Sequence, residues 1–179
     1  MTVGRIGTEQ KNNELLINSF ARIHQSFPNW RVVLAGLVRP EFKNFLNDIY
    51  MKYPDINLQI EVKGLISNKQ TLIELYKKSK IFALTSTFEG GTPNVIAEAL
   101  HCGCAIITTD IDGALDAVDN NKCGNIIERD DVDRLSNVLS YYCNNNDLLY
   151  QYGKHSIEYA YKNMDFEKIM DRLYYLLNL

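Results

Sequence analysis

Apolar residues along the chain fall into two alternating kinds of run. Ile81-Phe82-Ala83-Leu84 and Ala105-Ile106-Ile107 are short and unbroken, as in strands buried on both faces. The stretch 30–37 is β-branched and apolar and contains Gly36, 58–62 alternates, and 124–127 is a further short apolar segment; each predicts a strand. Thr2-Val3-Gly4-Arg5 reads as the tail of another. Between these runs the apolar spacing lengthens to three and four residues. Leu16, Phe20, Ile23 and Phe27 predict a helix over 13–27, and Phe42, Phe45, Leu46, Ile49 and Tyr53 mark a second. Leu72, Ile73, Leu75 and Tyr76 predict a third over 70–80, and Val132, Leu135, Leu139 and Tyr142 a fourth over 132–142. Past the break at 144–147, residues 148–179 read as helical, with Phe166, Ile169, Met170, Leu173, Leu176 and Leu177 along a wide apolar face. Strands alternating with helices give an α/β fold, a parallel sheet with helices on both faces. Such sheets bind ligands at the carboxyl ends of their strands.

One strand exit stands out. After Ile81 to Leu84 the chain reads Thr85-Ser86-Thr87-Phe88-Glu89-Gly90-Gly91-Thr92-Pro93-Asn94-Val95-Ile96-Ala97-Glu98-Ala99-Leu100. Gly90 and Gly91 permit unusual backbone angles and close ligand approach. Pro93 suits a first helical position with Thr92 as its N-cap, and a helix from Asn94 to about Cys102 would offer free amides and a positive dipole end to an anion such as phosphate. Glu89 and Glu98 are separated by eight residues. Beside a phosphate, carboxylates repel the ligand unless they face its hydroxyls, so both are expected to accept from sugar hydroxyls. Taken singly, Glu98 could merely complement the helix dipole and Glu89 be a solvated loop residue. With the Gly-Gly turn and the Pro-started helix, they point to a nucleotide sugar.

Phe88 to Leu100 resembles the E-x7-E signature of retaining, metal-independent family 4 glycosyltransferases, written E-G-x-x-x-x-x-x-E-A, with one residue more here, most simply the second Gly of Gly90-Gly91. Val3-Gly4-Arg5-Ile6-Gly7 with Lys11 is similar to the V-G-R-x-x…K element that opens the donor domain of the same family. The resemblance implies a Rossmann-like domain, the C-terminal half of a GT-B fold. It also implies roles: Arg5 and Lys11 on the donor diphosphate, Thr92, Asn94 and Val95 offering backbone amides to it beside Gly90 and Gly91, Glu98 on the ribose, and Glu89 facing the transferred sugar as the catalytic candidate. Arg brings a fork to phosphate oxygens and Lys a mobile point charge, which suits those roles. Gly64-Leu65-Ile66 corresponds to a G-x-[VI] loop beside the base, which makes Leu65 and Ile66 base-contact candidates; a plain strand-to-helix connection is the alternative. Asp112-Gly113-Ala114-Leu115-Asp116 resembles the family's G-G-x-x-E loop, with Asp for the first Gly and Asp116 for the Glu.

The bulk properties agree. The 179 residues suit a single domain over 1–179, with 148–179 a C-terminal helical segment. Hydrophobic content of 46% and charged content of 23% are those of a globular protein, and a net charge of −3 argues against a nucleic-acid partner on a broad basic surface. Cys102, Cys104, Cys123 and Cys143 form no C-x2-C pattern and read as buried thiols of a reducing compartment. His24 reads as a surface or packing histidine. No metal site and no cofactor are expected beyond the nucleotide-diphosphate sugar donor. No run reaches transmembrane length and no signal peptide is evident, so a cytoplasmic location is expected, with room for peripheral contact at the inner face of a membrane. A chain opening on the last residues of a core strand is expected to be cut from something longer. On the resemblance, the N-terminal half that binds a glycan or lipid-linked acceptor is then absent, and the isolated chain binds the donor but transfers nothing. The rival expectation is a non-catalytic nucleotide-binding subunit of a split transferase, or a regulatory α/β module.

Overall fold

The computed structural model of the chain describes residues 1–165, 168 and 170. Six strands are present: β1 (Thr2–Val3), β2 (Val32–Ala35), β3 (Ile60–Gly64), β4 (Ile81–Leu84), β5 (Ala105–Thr109) and β6 (Gly124–Ile127). They alternate with α1 (Asn13–Ile23), α2 (Pro40–Lys52), α3 (Lys69–Lys78), α4 (Asn94–His101), α5 (Ala114–Ala117), α6 (Val132–Asn144) and α7 (Asn146–Asn163). All strand pairs are parallel, in two three-stranded ladders, β1-β2-β3 and β4-β5-β6. The ladders abut at Met1, whose nitrogen donates to Ile81 O (2.6 Å) and whose carbonyl accepts from Ala83 N–H (2.9 Å). Two bonds astride Phe82 are the pattern of a parallel pair, so the strands lie in the order 3-2-1-4-5-6. Chain direction across the sheet reverses between β1 and β4, and a crevice opens at such a switch point.

The unbroken apolar character of β4 and β5 follows from a core on each side. Ile81, Ala83, Ala105 and Ile107 face a cluster with Leu16, Phe20, Phe42, Leu46 and Leu139, under α1, α2 and α6. Their neighbours Phe82, Leu84 and Ile106 face the other way, onto Tyr76, Ile96, Leu100 and Ala160 of α3, α4 and α7. Each such aliphatic side chain contributes on the order of 1.5–3 kcal/mol by leaving water.

Element ends follow local chemistry, and several differ from the spacing-based reading. The α-helical part of 13–27 stops at Ile23 and a 3-10 turn, His24–Ser26, follows, because Pro28 disfavours helical backbone at Phe27. Pro40 opens α2 from its first turn. A 3-10 turn, Pro54–Leu58, displaces the start of β3 to Ile60. Asn68 caps α3 by accepting from Thr71 N–H (3.0 Å), and Asp131 caps α6 by accepting from Arg134 N–H (2.7 Å). The break between α6 and α7 narrows to Asn145. His24 is buried, with Nδ1 2.8 Å from Ala21 O and its ring edge-on to Tyr53, a packing histidine. Of the apolar face expected at the chain end, Phe166, Ile169, Leu173, Leu176 and Leu177 lie outside the described residues.

Candidate functional site

The exits of β1 and β4 are stitched together at the switch point. Thr87 N–H donates to Gln10 O (2.8 Å), Thr85 Oγ1 donates to Lys11 O (3.0 Å), and Gln10 Nε2 donates to Phe88 O (3.2 Å). Onto this frame the charged side chains are fixed. The Arg5 guanidinium donates to Gln10 Oε1, and Lys11 Nζ forms an ion pair with Glu89 Oε1. Ser86 Oγ, itself fully buried, donates to the same Glu89 oxygen (2.6 Å). The Lys11 and Glu89 side chains are only 14% and 11% exposed, so each satisfies a charge that water reaches poorly. Arg5 remains exposed.

The Gly90-Gly91 turn lies beside this frame. Gly91 has φ +101°, the left-handed region that a side chain resists, whereas Gly90 adopts no positive φ. Gly113, at the exit of β5, has φ +79°, and a Cβ there would come within 2.7 Å of Thr92 Oγ1 and 2.8 Å of Thr92 N. A glycine is what allows the two loops to touch. Thr92 does not cap α4: its hydroxyl donates to Gly113 O (3.4 Å), and the N-cap is Pro93, whose extended ψ of 145° delays the helix to Asn94. Proline has no side chain with which to cap, and among the described residues no other side chain caps α4. Ile96 N–H donates to Pro93 O (2.9 Å), so the amides of Asn94 and Val95 are directed off the open helix end, an arrangement suited to an anion.

Glu98 lies apart from the Lys11–Glu89 pair. It is exposed on α4, where its Oε2 accepts from the Tyr76 hydroxyl (2.9 Å), beside a hollow of about 450 Å³ between α3 and α4 that Leu72, Asn94 and Ala97 also line. Burial, and after it the facing Glu98 carboxylate, push the Tyr76 phenol far above its ordinary range. Leu65 and Ile66 are divided: Leu65 is 75% exposed, while Ile66 is half-buried against the α3–α4–α7 core. The β1 and β4 exits thus bring Lys11 and Glu89 together, while open amides and a second carboxylate lie on α4; cations and amides can take up an anion, and carboxylates can accept from hydroxyls.

Comparison with known proteins gives this geometry a family. The sequence profile of the glycosyl transferases group 1 matches residues 1–162. The chain belongs to that family. One relative of this group 1 glycosyltransferase chain is the N-acetylgalactosamine-N,N'-diacetylbacillosaminyl-diphospho-undecaprenol 4-alpha-N-acetylgalactosaminyltransferase of Campylobacter jejuni. It is 29% identical over 180 residues, covering 99% of this chain and 46% of the relative. The chain spans less than half the length of the curated relatives it matches. Two solved structures share the fold. Anabaena HepE in complex with UDP is 18% identical with a TM-score of 0.79, covering 99% of this chain and 48% of that one. The C-terminal domain of the group 1 glycosyl transferase LpcC from Francisella tularensis is 19% identical with a TM-score of 0.78, covering 92% and 85%. Among the described residues no helix of the group 1 chain is long and apolar enough to cross a membrane, and no group of three or more His, Cys, Asp or Glu could hold a metal ion.

Three side chains that contact these candidate residues lie beyond what motif reading picks out: Gln10, Ser86 and Tyr76. Ser86 had a faint signal, since Thr85-Ser86-Thr87 is a polar run directly after a buried strand. Tyr76 reads from spacing as core, which its ring is. Gln10 carries no signal in the sequence.

Proposed function

We propose that this chain is the nucleotide-sugar-binding half of a retaining, metal-independent GT-B glycosyltransferase that transfers a hexose-type sugar to a glycan or lipid-linked acceptor. The observation that carries the reading is the joining of the Arg5–Lys11 loop to the loop that leads into α4, through Lys11–Glu89 and Gln10–Phe88, at the switch point of the sheet. Arg5, Lys11 and the amides of Asn94 and Val95 take the diphosphate. Glu98 takes the ribose hydroxyls, and Glu89 faces the donor sugar. As the bond from the anomeric carbon to the diphosphate breaks, the electron pair leaves with the phosphate oxygen, and the same cations and amides stabilise the charge that builds there. Leu65 is the base-contact residue; Ile66 supports it from the core.

The other half of the crevice supplies the acceptor. Support comes from the chain spanning less than half of its curated relatives and from the exposed apolar side chains on the strand exits. Leu37, Leu65 and Phe88 follow β2, β3 and β4 and are 63%, 75% and 62% exposed, and Leu115 of α5 is 58% exposed; such side chains suit contact with a facing domain. A lipid-linked acceptor accords with the diphospho-undecaprenol in the name of the Campylobacter jejuni relative, and suits work at the cytoplasmic face of a membrane. Calorimetric titration with UDP, GDP and ADP is the test. Saturable binding of one of them, with no sugar transfer by the isolated chain, is expected; absence of saturable binding by all three overturns the reading.

A further inference from the structure

Tyr76 is an inside residue with one outside bond. It lies in α3 with 1% exposure, its ring tilted against Phe82 of β4 at 5.7 Å between centroids. Its backbone carbonyl accepts from Cys104 Sγ (3.4 Å), which ties α3 to the start of β5. A ring held this way has no freedom to swing, so its hydroxyl occupies one place on the molecule. That place is against Glu98 Oε2, at 2.9 Å.

Glu98 has the opposite character. It stands on the exposed face of α4, where a glutamate ordinarily samples several rotamers and loses side-chain entropy when a ligand fixes it. The bond from Tyr76 selects one of those rotamers before any ligand arrives. It also divides the carboxylate's work: Oε2 is occupied by a buried donor, which leaves Oε1 without that bond on a residue lining the hollow between α3 and α4, as Asn94 at the amide end of α4 also does. Because burial and the facing carboxylate push the Tyr76 phenol far up, it stays protonated and remains the donor throughout the working pH range.

We propose that Tyr76 is a positioning residue for nucleotide recognition, holding the Glu98 carboxylate at the α3–α4 hollow with one oxygen turned to a ribose hydroxyl. The inference rests on the reading of the chain as a nucleotide-sugar-binding half. It adds to that reading the source of ribose selectivity: a preorganised acceptor costs less to engage than a mobile one. The competing account makes Glu98 merely the partner that a buried phenol requires, in which case Tyr76 affects stability and nothing else.

The two accounts separate in a selectivity ratio. UDP, GDP and ADP, each with its 2′-deoxy counterpart, and inorganic pyrophosphate are titrated into the wild-type chain, Tyr76→Phe and Glu98→Gln. The wild-type chain is expected to prefer the ribonucleotide by about tenfold, the scale of a hydrogen bond to a charged group. In Tyr76→Phe, which keeps the ring and the core, that preference falls to about threefold, while pyrophosphate affinity is unchanged. A ribose-to-deoxyribose ratio that stays at its wild-type value in Tyr76→Phe, whether or not the melting temperature drops, overturns the inference and leaves the nucleotide-sugar reading standing. So does an equal loss for all three kinds of ligand. If no nucleotide binds the wild-type chain, the underlying reading falls and this inference falls with it.

Discussion

At the scale of single residues, the Lys11–Glu89 ion pair ties the exit of β1 to that of β4. Both side chains are largely shielded, and Ser86 completes the glutamate's hydrogen bonding. Removing one partner leaves the other charge poorly hydrated, which costs more than the pair's own net contribution. Lys11→Ala is therefore expected to destabilise the unliganded chain by about 1–3 kcal/mol, and the double variant Lys11→Ala/Glu89→Gln to recover most of that loss, since the orphaned charge is gone. Urea denaturation of the four proteins of the cycle measures both. A double variant no more stable than Lys11→Ala would show that Glu89 does not depend on the lysine. Lys11 and Glu89 could be singled out in the sequence because each belongs to a short motif of recognisable residue types, but their pairing across the crevice could not. Gln10, Ser86 and Tyr76 were not, because their contribution lies in whom they touch. Gln10 reaches Phe88 across 78 positions and Tyr76 reaches Glu98 across 22, and spacing along a chain does not encode such meetings.

At the scale of elements, the strands and helices were legible almost throughout, since a core on each side of the sheet leaves its mark as unbroken apolar runs and three-to-four spacing. Errors fell at element ends, where a single proline or a side-chain cap decides. The start of α4 is the case that matters: Thr92 looked like a cap, yet Gly113 draws its hydroxyl away and Pro93 takes the capping position. The four-residue α5 left too little periodicity to read. The loop after it carries Asp119, Asn120 and Asn121, all at positive φ, and is held to α7 by His155 Nε2 at 2.7 Å from Asp119 Oδ2. That bond, with help from Lys122, holds the Asp119 carboxyl below its usual range. A depressed carboxylate pKa adds stability that is complete above the unfolded value of about 3.9 and disappears as pH falls through the folded value. Asp119→Asn is thus expected to melt below the wild-type chain at pH 6, with the gap shrinking as pH falls below about 3.9 and closing only beneath the lowered folded value. Thermal melts across pH 3 to 7 check this, and a gap that persists undiminished at the acid end would contradict it.

At the scale of the whole molecule, the two cores share one sheet, with alternate residues of β4 and β5 belonging to each, so neither layer can be lost while the other stays packed. The cysteines report on this directly. Burial pushes the Cys104 thiol up to about 12, Cys123 up to about 11 and Cys143 up to about 12, and raises Cys102 as well. Thiolates are the reactive form, so at pH 8 each native thiol is held protonated; Cys104 and Cys123 are buried as expected, whereas Cys102 and Cys143 are only half-buried. Cys104 and Cys123 lie in the α3–α4–α7 layer, while Cys143 is carried by α6 on the opposite layer. Labelling with a maleimide or iodoacetamide is expected to be slow at all four sites in buffer. In rising urea, Cys104 and Cys143 should become reactive at the same midpoint, because exposing either thiol requires parting helices from the strands that both layers use. Site-resolved mass spectrometry gives the two curves. Midpoints separated by more than the measurement error would mean that the layers unfold in turn, and that the sheet does not bind them into a single cooperative unit.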